Sequence, residues 1–332
     1  MTPLGSNVVP TLRRRLISIP SLFLGAVLLL VLVPVWIPAA AIVDVVRAKF
    51  RLPLSRLLLF ALGWAWLESA SVLLAFGLWI SGQRNNREVH YRLQAWWAAN
   101  VLGLLRATTG IRITAQDVDE IRPGPAIMLC RHASLADSLV SAWVITSLAG
   151  LRPRYVLKRE LLGDPCLDIV GNRLPNHFLD RAAPDSGLEL QALTRLASGM
   201  GERDIAVIFP EGTRASPAKR DRAMTKLRER DPGRADRLGG LQHLLPPRPA
   251  GSAALIAGSP DADVVIGWHV GFDGLDTFGG ILRHLARRPA PVRFRARRVA
   301  RADVPTGDAF TEWIDAVWVQ ADHDVHTMLE ER

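Results

Sequence analysis

Two long apolar stretches open the chain, and after them the pattern changes. From Leu16 to Val43 no residue is charged, and between Leu57 and Ile80 the only charge is Glu68. Each stretch exceeds the roughly 20 residues that an α-helix needs to cross a hydrocarbon core. Runs of this length are rare in a soluble core, so residues 1–95 are expected to hold a membrane anchor with two apolar helices. Arg13, Arg14 and Arg15 before the first stretch, with Ala39, Ala40 and Ala41 near its end, have the layout of a secretory signal peptide. The apolar part of such a peptide is only about 7–15 residues, and a second apolar segment follows here, which favours a retained anchor. Pro34 and Pro38 would let the first helix kink.

Beyond Ile80, short apolar runs alternate with amphipathic stretches. Strands are expected at 126–130, 155–158, 205–209, 253–257, 264–270 and 292–299, and helices at 137–148, 188–200 and 223–238. That alternation predicts an α/β domain over residues 96–300, a largely parallel mixed sheet flanked by helices. In VRFRARRV, Val292, Phe294 and Ala296 alternate with Arg293, Arg295 and Arg297, the signature of a half-exposed strand with solvated arginines. The breaker-rich LLPPRPAGS interrupts the pattern after Leu244. A last helix at 308–329, carrying Trp313, Ile314, Val317 and Trp318, forms a helical extension over residues 301–332.

The formal net charge is +9, and the first 95 residues hold ten lysines and arginines against Asp44, Glu68 and Glu88. A basic surface beside an apolar anchor attracts an anionic membrane, at about 1 kcal/mol per residue near the surface. Nucleic acid is excluded as a partner, because these charges are tied to the membrane segments and no recognised nucleic-acid module is present. Arg13, Arg14, Arg15, Arg84, Arg87 and Arg92 flank the apolar pair, favouring both flanks, and with them the α/β domain, on the cytoplasmic face of the membrane. Arg47, Lys49, Arg51 and Arg56 crowd the connection between the two segments. Two full spans would put these four on the opposite side, whereas a hairpin entering one leaflet and returning keeps all ten together; both remain open. Cys130 and Cys166 lack metal-ligand spacing and imply no disulfide framework. Asp322, His323, Asp324 and His326 have no clustered partners, so a solvated helix end and no metal is expected there.

The chemistry concentrates in two runs about eighty residues apart, PAIMLCRHASLAD and DIAVIFPEGTR. In the first, His132 precedes Asp137 by five residues. Within one helix these would point about 140° apart. They can meet if His132 lies in the turn after the strand at 126–130 and Asp137 in the first helical turn. The carboxylate then fixes the tautomer and stabilises imidazolium as the other ring nitrogen takes a proton. Ser134 and Ser138 are close, but direct attack by a substrate hydroxyl is simpler; a purely structural His–Asp pair is the alternative for an isolated match. In the second run Pro210 ends the strand, Gly212 permits close approach of a ligand or backbone, and Arg214 can grip phosphate with two prongs. An ordinary turn with a solvated arginine is the alternative there. Between them, YVLKRELLGDPCLDIVGNRLPNHFLDR supplies Lys158, Glu160, Pro165, Phe178 and Arg181, with His177 read as an ordinary loop or core histidine.

The order HASLAD, KREL with FLDR, FPEGTR and LLPPRPAG resembles the glycerolipid and lysophospholipid acyltransferases. In type it is most similar to the 1-acylglycerol-3-phosphate (lysophosphatidic acid) acyltransferases. The likeness covers roughly residues 84–270, and the HxxxxD and PEGTR blocks are specific as a set. It implies His132 as general base oriented by Asp137, with Arg181, Glu211, Gly212, Thr213 and Arg214 holding a phosphate-bearing acceptor and Pro246 near the acyl donor. It further implies a membrane-tethered α/β domain that uses acyl-CoA or acyl carrier protein as co-substrate, with no metal or cofactor. The expected reaction carries lysophosphatidic acid to phosphatidic acid. Oxyanion donors are sought among backbone amides near the first helical turn. Two departures bear on the acceptor: Arg131 stands where the family often has Asn, and the charged ASPAKRDRAMTKLRERD follows PEGTR. Arg131 can lower the basicity of the neighbouring imidazole or touch the acceptor's anion. A lipid hydrolase or thioesterase is the alternative within enzymes; a non-catalytic membrane lipid-binding protein is the alternative outside them. A transporter is disfavoured by the absence of a repeated helical bundle.

Overall fold

The computed structural model describes residues 8–134, 136–180, 186–272, 275, 277–287 and 289–331. Its strands are β1 (Ile113–Ala115), β2 (Ala126–Cys130), β3 (Arg152–Lys158), β4 (His177–Leu179), β5 (Asp204–Ile208), β6 (Asp263–Val270) and β7 (Val292–Val299). They form a single mixed sheet in the order β1-β7-β6-β2-β5-β3-β4. From β6 through β2, β5 and β3 to β4 every pair is parallel; β7 runs antiparallel to β6, and β1 pairs parallel with β7.

The side-chain alternation of β2 explains the layering. All five of its residues are buried, as in a strand covered on both faces. Ile127 and Leu129 face a core built with the helices Ser186–Ala197, Pro249–Gly258 and Ala309–Glu330. Ala126, Met128 and Cys130 face the opposite core, built with the helices Arg87–Thr109 and Asp137–Trp143. Full burial of side chains such as Ile127 and Met128 contributes about 1.5–3 kcal/mol each. The parallel block therefore points its carboxyl ends, and the turns after them, to one edge of the molecule.

Several elements differ from the sequence reading. The run at 253–257 is not a strand but the middle of the helix Pro249–Gly258. A short apolar run has no periodicity to separate buried strand from buried helix, and Pro249 at the first turn starts the helix. A Cβ at Gly258 would strike the Thr194 carbonyl, so this helix packs tightly on its neighbour. The expected helix at 223–238 is two, Pro217–Arg230 and Pro232–Arg237, broken at Asp231 before the proline. Strands β1 and β4 have three residues each, too few to show a period. The arginines of β7 are paired rather than merely solvated: Arg295 meets Asp117 at 2.7 Å and Arg298 meets Asp263 at 2.8 Å.

The carboxy-terminal helix Ala309–Glu330, expected as an extension, shares the main core through Ile314, Trp318, Ala321 and Val325. Asp322 on it is buried, not solvated, and accepts the N–H groups of Gln242, His243 and Leu244 at 2.7–2.9 Å. Trp318 Nε1 donates to the Leu245 carbonyl at 3.1 Å, and Asp315 pairs with Arg234 at 2.8 Å. The loop from Gln242 to Arg248 is thereby fastened to the last helix.

The amino-terminal apolar sequence forms three helices, Val8–Val31, Val33–Val46 and Pro53–Ile80. Asp44 is buried and accepts the N–H groups of Leu54 and Ser55 at 3.2 and 3.0 Å, closing the turn that starts the third helix. That helix lies side-on against Arg87–Thr109. Arg56 Nε reaches the Thr108 carbonyl at 2.8 Å, Trp97 Nε1 reaches Glu68 at 2.7 Å, and Arg173 reaches the Ala75 carbonyl at 2.8 Å. Arg14 and Arg15, expected as charges facing the membrane, instead clamp the fully buried Asp168 at 2.7 and 2.9 Å. The outer faces of the three helices leave Leu16, Ile17, Leu28, Val35, Ile42 and Phe76, among others, exposed.

Candidate active site

The chain leaves β2 through Arg131 and enters the next helix at Asp137, the geometry that lets residues five apart meet. His132 Nδ1 lies 2.9 Å from Asp137 Oδ2. The same oxygen accepts the N–H groups of Ala133 at 2.6 Å and Ser134 at 2.8 Å, so these two amides are not free for an oxyanion. Asp137 Oδ1 takes the Ser134 hydroxyl, and His269 Nε2 from β6 stands 3.0 Å from it. Burial pushes the Asp137 carboxyl up, but the facing imidazoles of His269 and His132 outweigh it and hold the group well below the usual carboxylate range.

The turn after β5 meets this turn from the side. Glu211 is buried; its Oε1 accepts the His132 N–H at 2.6 Å and its Oε2 the Leu245 N–H at 2.9 Å. Burial pushes its carboxyl up to about 8 against those two amides. The Ala215 N–H donates to the His132 carbonyl at 2.7 Å, so the residue is held on both sides of its peptide. Gly212 has φ +69°, a conformation that disfavours side chains, and an added Cβ would lie 3.3 Å from the Arg248 guanidinium. The close approach expected at this glycine is therefore made by Arg248, whose N–H also donates to the Pro210 carbonyl at 2.9 Å.

These turns wall a cavity of about 640 Å³ at the carboxyl edge of the sheet. Val156, Leu157, Leu161, Leu179, Leu190, Leu193, Ile208 and Phe209 give it an apolar side. An imidazole, His132, and three cations, Lys158, Arg214 and Arg248, line it as well, as do Glu189 and Asp180. His132 stacks obliquely on Phe209, ring centroids 4.8 Å apart, and its Nδ1 is the nitrogen turned to Asp137. His177, read as an ordinary histidine, lies 2.6 Å from Glu189 at the same wall.

Of the residues expected at the site, the structure brings His132, Asp137, Gly212 and Arg214 together. Glu211, expected to touch the acceptor, faces inward as a tie between loops, because both its oxygens are taken by backbone amides. Thr213 is not among the lining residues. Arg181 lies outside the described residues. Arg131 is buried, its guanidinium donating to the His269 carbonyl, so it does not present a cation to an acceptor. Arg248 and His269 were missed: the first is hidden in a proline-rich loop, the second in an apolar strand. A histidine inside VVIGWHV is itself a signal, since such runs otherwise exclude polar side chains. Among the described residues, no group of three or more His, Cys, Asp or Glu comes together to hold a metal ion.

Residues 112–249 match the model of the family described as Acyltransferase. Among solved structures, the 1-acyl-sn-glycerophosphate (LPA) acyltransferase PlsC from Thermotoga maritima is a loose likeness. It has 13% sequence identity and a TM-score of 0.44, over 77% of this chain and 95% of that one. No curated protein matches the chain.

Proposed function

We propose, from the match of residues 112–249 to the acyltransferase family model, that the chain acylates a lysophospholipid at a membrane. The donor is a fatty acyl thioester, acyl-CoA or acyl carrier protein, and the acceptor is most simply lysophosphatidic acid. The observation that carries this reading is the His132–Asp137 pair opening onto a cavity that is apolar on one side and cationic on the other.

In the proposed step the acceptor hydroxyl attacks the thioester carbonyl as its proton passes to His132 Nε2. The tetrahedral intermediate collapses, the C–S bond breaks, and the departing thiolate takes the proton back from the imidazolium. The products are an ester and a free thiol. Asp137, held ionised, stabilises the imidazolium in between. Such positioned base catalysis contributes about 10²–10⁴-fold. The rest comes from alignment: Arg214, Lys158 and Arg248 hold the phosphate groups, and the apolar wall holds the acyl chain. Gly212 acts by admitting Arg248, and Glu211 by keeping the His132 peptide in place.

The anchor is proposed to lie in one leaflet rather than span it. A helix fastened side-on to the catalytic domain cannot also be ringed by lipid along its length, while its outer face is apolar enough to sink into acyl chains. Both ends and the cavity then stay on one side, taken here as cytoplasmic.

Purified protein given labelled acyl-CoA and a panel of lysolipids tests the reading, with products resolved by mass. Diacyl product from a phosphate-headed acceptor is expected. Rapid release of free fatty acid without any acceptor would instead favour hydrolysis, and lipid binding without turnover on any donor would favour a binding protein.

A further inference from the structure

β6 is buried over seven of its eight residues, and one of these is His269, whose side chain is 4% exposed. An aliphatic side chain would satisfy the packing there; an imidazole gives up its water, which is unfavourable unless a partner replaces it. Neither ring nitrogen makes an aligned hydrogen bond to any described residue. What the ring faces is Asp137: Nε2 stands 3.0 Å from Oδ1, while His132 Nδ1 stands 2.9 Å from Oδ2. One carboxylate thus carries an imidazole on each oxygen. The main chain at this point is pinned as well, since the Arg131 guanidinium donates to the His269 carbonyl. Phe272 closes the ring from its edge, centroids 5.7 Å apart.

We propose that His269 is a positioning residue of the acyl transfer, acting on His132 through the carboxylate that the two rings share. The inference rests on His132 being the base. Asp137 is hydrogen-bonded at Oδ2 by His132 and two amides and at Oδ1 by the Ser134 hydroxyl, and the His269 ring stands 3.0 Å from Oδ1. Removing His269 leaves Oδ1 with the hydroxyl, so the carboxylate can tilt and His132 loses its fixed direction. It also concentrates negative charge on the His132 side, which makes the imidazolium easier to form. A buried imidazole placed against local preference, on a residue the chemistry uses, is how a functional constraint shows itself in a core. Among the described residues, the other charged or titratable groups around the shared carboxylate are Arg131 and Cys130, from β2 and its turn, and Glu211, from the turn after β5.

Full-length protein with His269→Phe or His269→Gln tests this, with kcat, KM for both substrates and melting temperature followed across pH. His269→Phe is expected to lower kcat about 10-fold, a part of what a positioned base supplies, with both KM values within about twofold. Its pH profile of kcat/KM is expected to differ from that of wild type, because the carboxylate that directs His132 has then lost one of its two facing rings. His269→Gln places an amide nitrogen near the position of Nε2, and should recover most of the rate and the wild-type profile. Wild-type kcat and pH profile in His269→Phe would overturn the proposal. So would an equal loss in both variants that simply follows the folded fraction. An active His132→Ala sinks the underlying base assignment; an inactive one, beside a wild-type-like His269→Phe, sinks only this inference.

Discussion

Glu211→Gln separates a loop-tying carboxyl from a substrate-binding one. The wild-type group is buried, with its pKa raised from 4.5 to about 8. Between those values the unfolded chain has released the proton and the folded chain still holds it. Wild-type stability from this group therefore falls as pH rises, by up to about 1.4 kcal/mol per pH unit. The window of pH 4.5–8 spans at most roughly 3–5 kcal/mol, and below it the group contributes no slope. Glutamine has no such slope, but its amide must face a donor toward one of two backbone N–H groups, His132 or Leu245. That mismatch costs about 1–3 kcal/mol at every pH. Near pH 5 the variant should therefore melt lower than wild type, by about 2–4 °C per kcal/mol, and the order should reverse toward pH 8. Paired thermal melts of detergent-solubilised protein from pH 5 to 8.5 measure this directly, because other titrating groups cancel in the difference. A pH-independent gap between the two curves, with a raised KM for the acceptor as the main defect, would refute the argument and return Glu211 to the substrate.

Three further changes address other links. Asp322→Ala leaves three backbone N–H groups of the 242–244 turn without their acceptor, and should destabilise by about 3–5 kcal/mol; unchanged denaturant midpoints would contradict this. Replacing both Arg14 and Arg15 by Ala strands the buried Asp168, with an expected loss of about 3–5 kcal/mol. Vesicle flotation of that variant should be unaffected, since the apolar outer faces remain; failure to float would mean the arginines bind lipid rather than the domain. Arg248→Ala should raise KM for a phosphorylated substrate about 10-fold with kcat little changed, as expected for one lost charged hydrogen bond; steady-state kinetics with an unaltered KM would remove Arg248 from the site.

The parallel core was legible because its strands are continuous apolar runs ending in turn chemistry. Residues 126–130 were bounded as they occur, and so, from its alternation rather than from an apolar run, was the antiparallel strand 292–299. The meeting of His132 with Asp137 was legible as a condition: the spacing allows it if a turn separates strand from helix, and the structure has that turn. The segment 253–257 was misread because a buried helix of small residues carries no helical period. The inward turn of Glu211 was not legible, because a motif says which residues recur, not which way a carboxylate turns, and here two amides hold it. Arg248 and His269 could not be located from local pattern: His269 reaches the site through the pairing of β2 with β6, and Arg248 through its loop's bond to the Pro210 carbonyl, long-range arrangements that no window of sequence contains. Arg14 and Arg15 have the same lesson, looking like membrane flanks until Asp168 is found beneath them.

The account stands on His132 taking a proton from an acceptor hydroxyl, and acyl transfer by His132→Ala tests it most directly. With labelled acyl-CoA and a lysolipid acceptor, the variant should lose transfer by at least about 10²-fold while its melting temperature and vesicle binding stay near wild type. Transfer at the wild-type rate by a folded, membrane-bound His132→Ala would contradict the account.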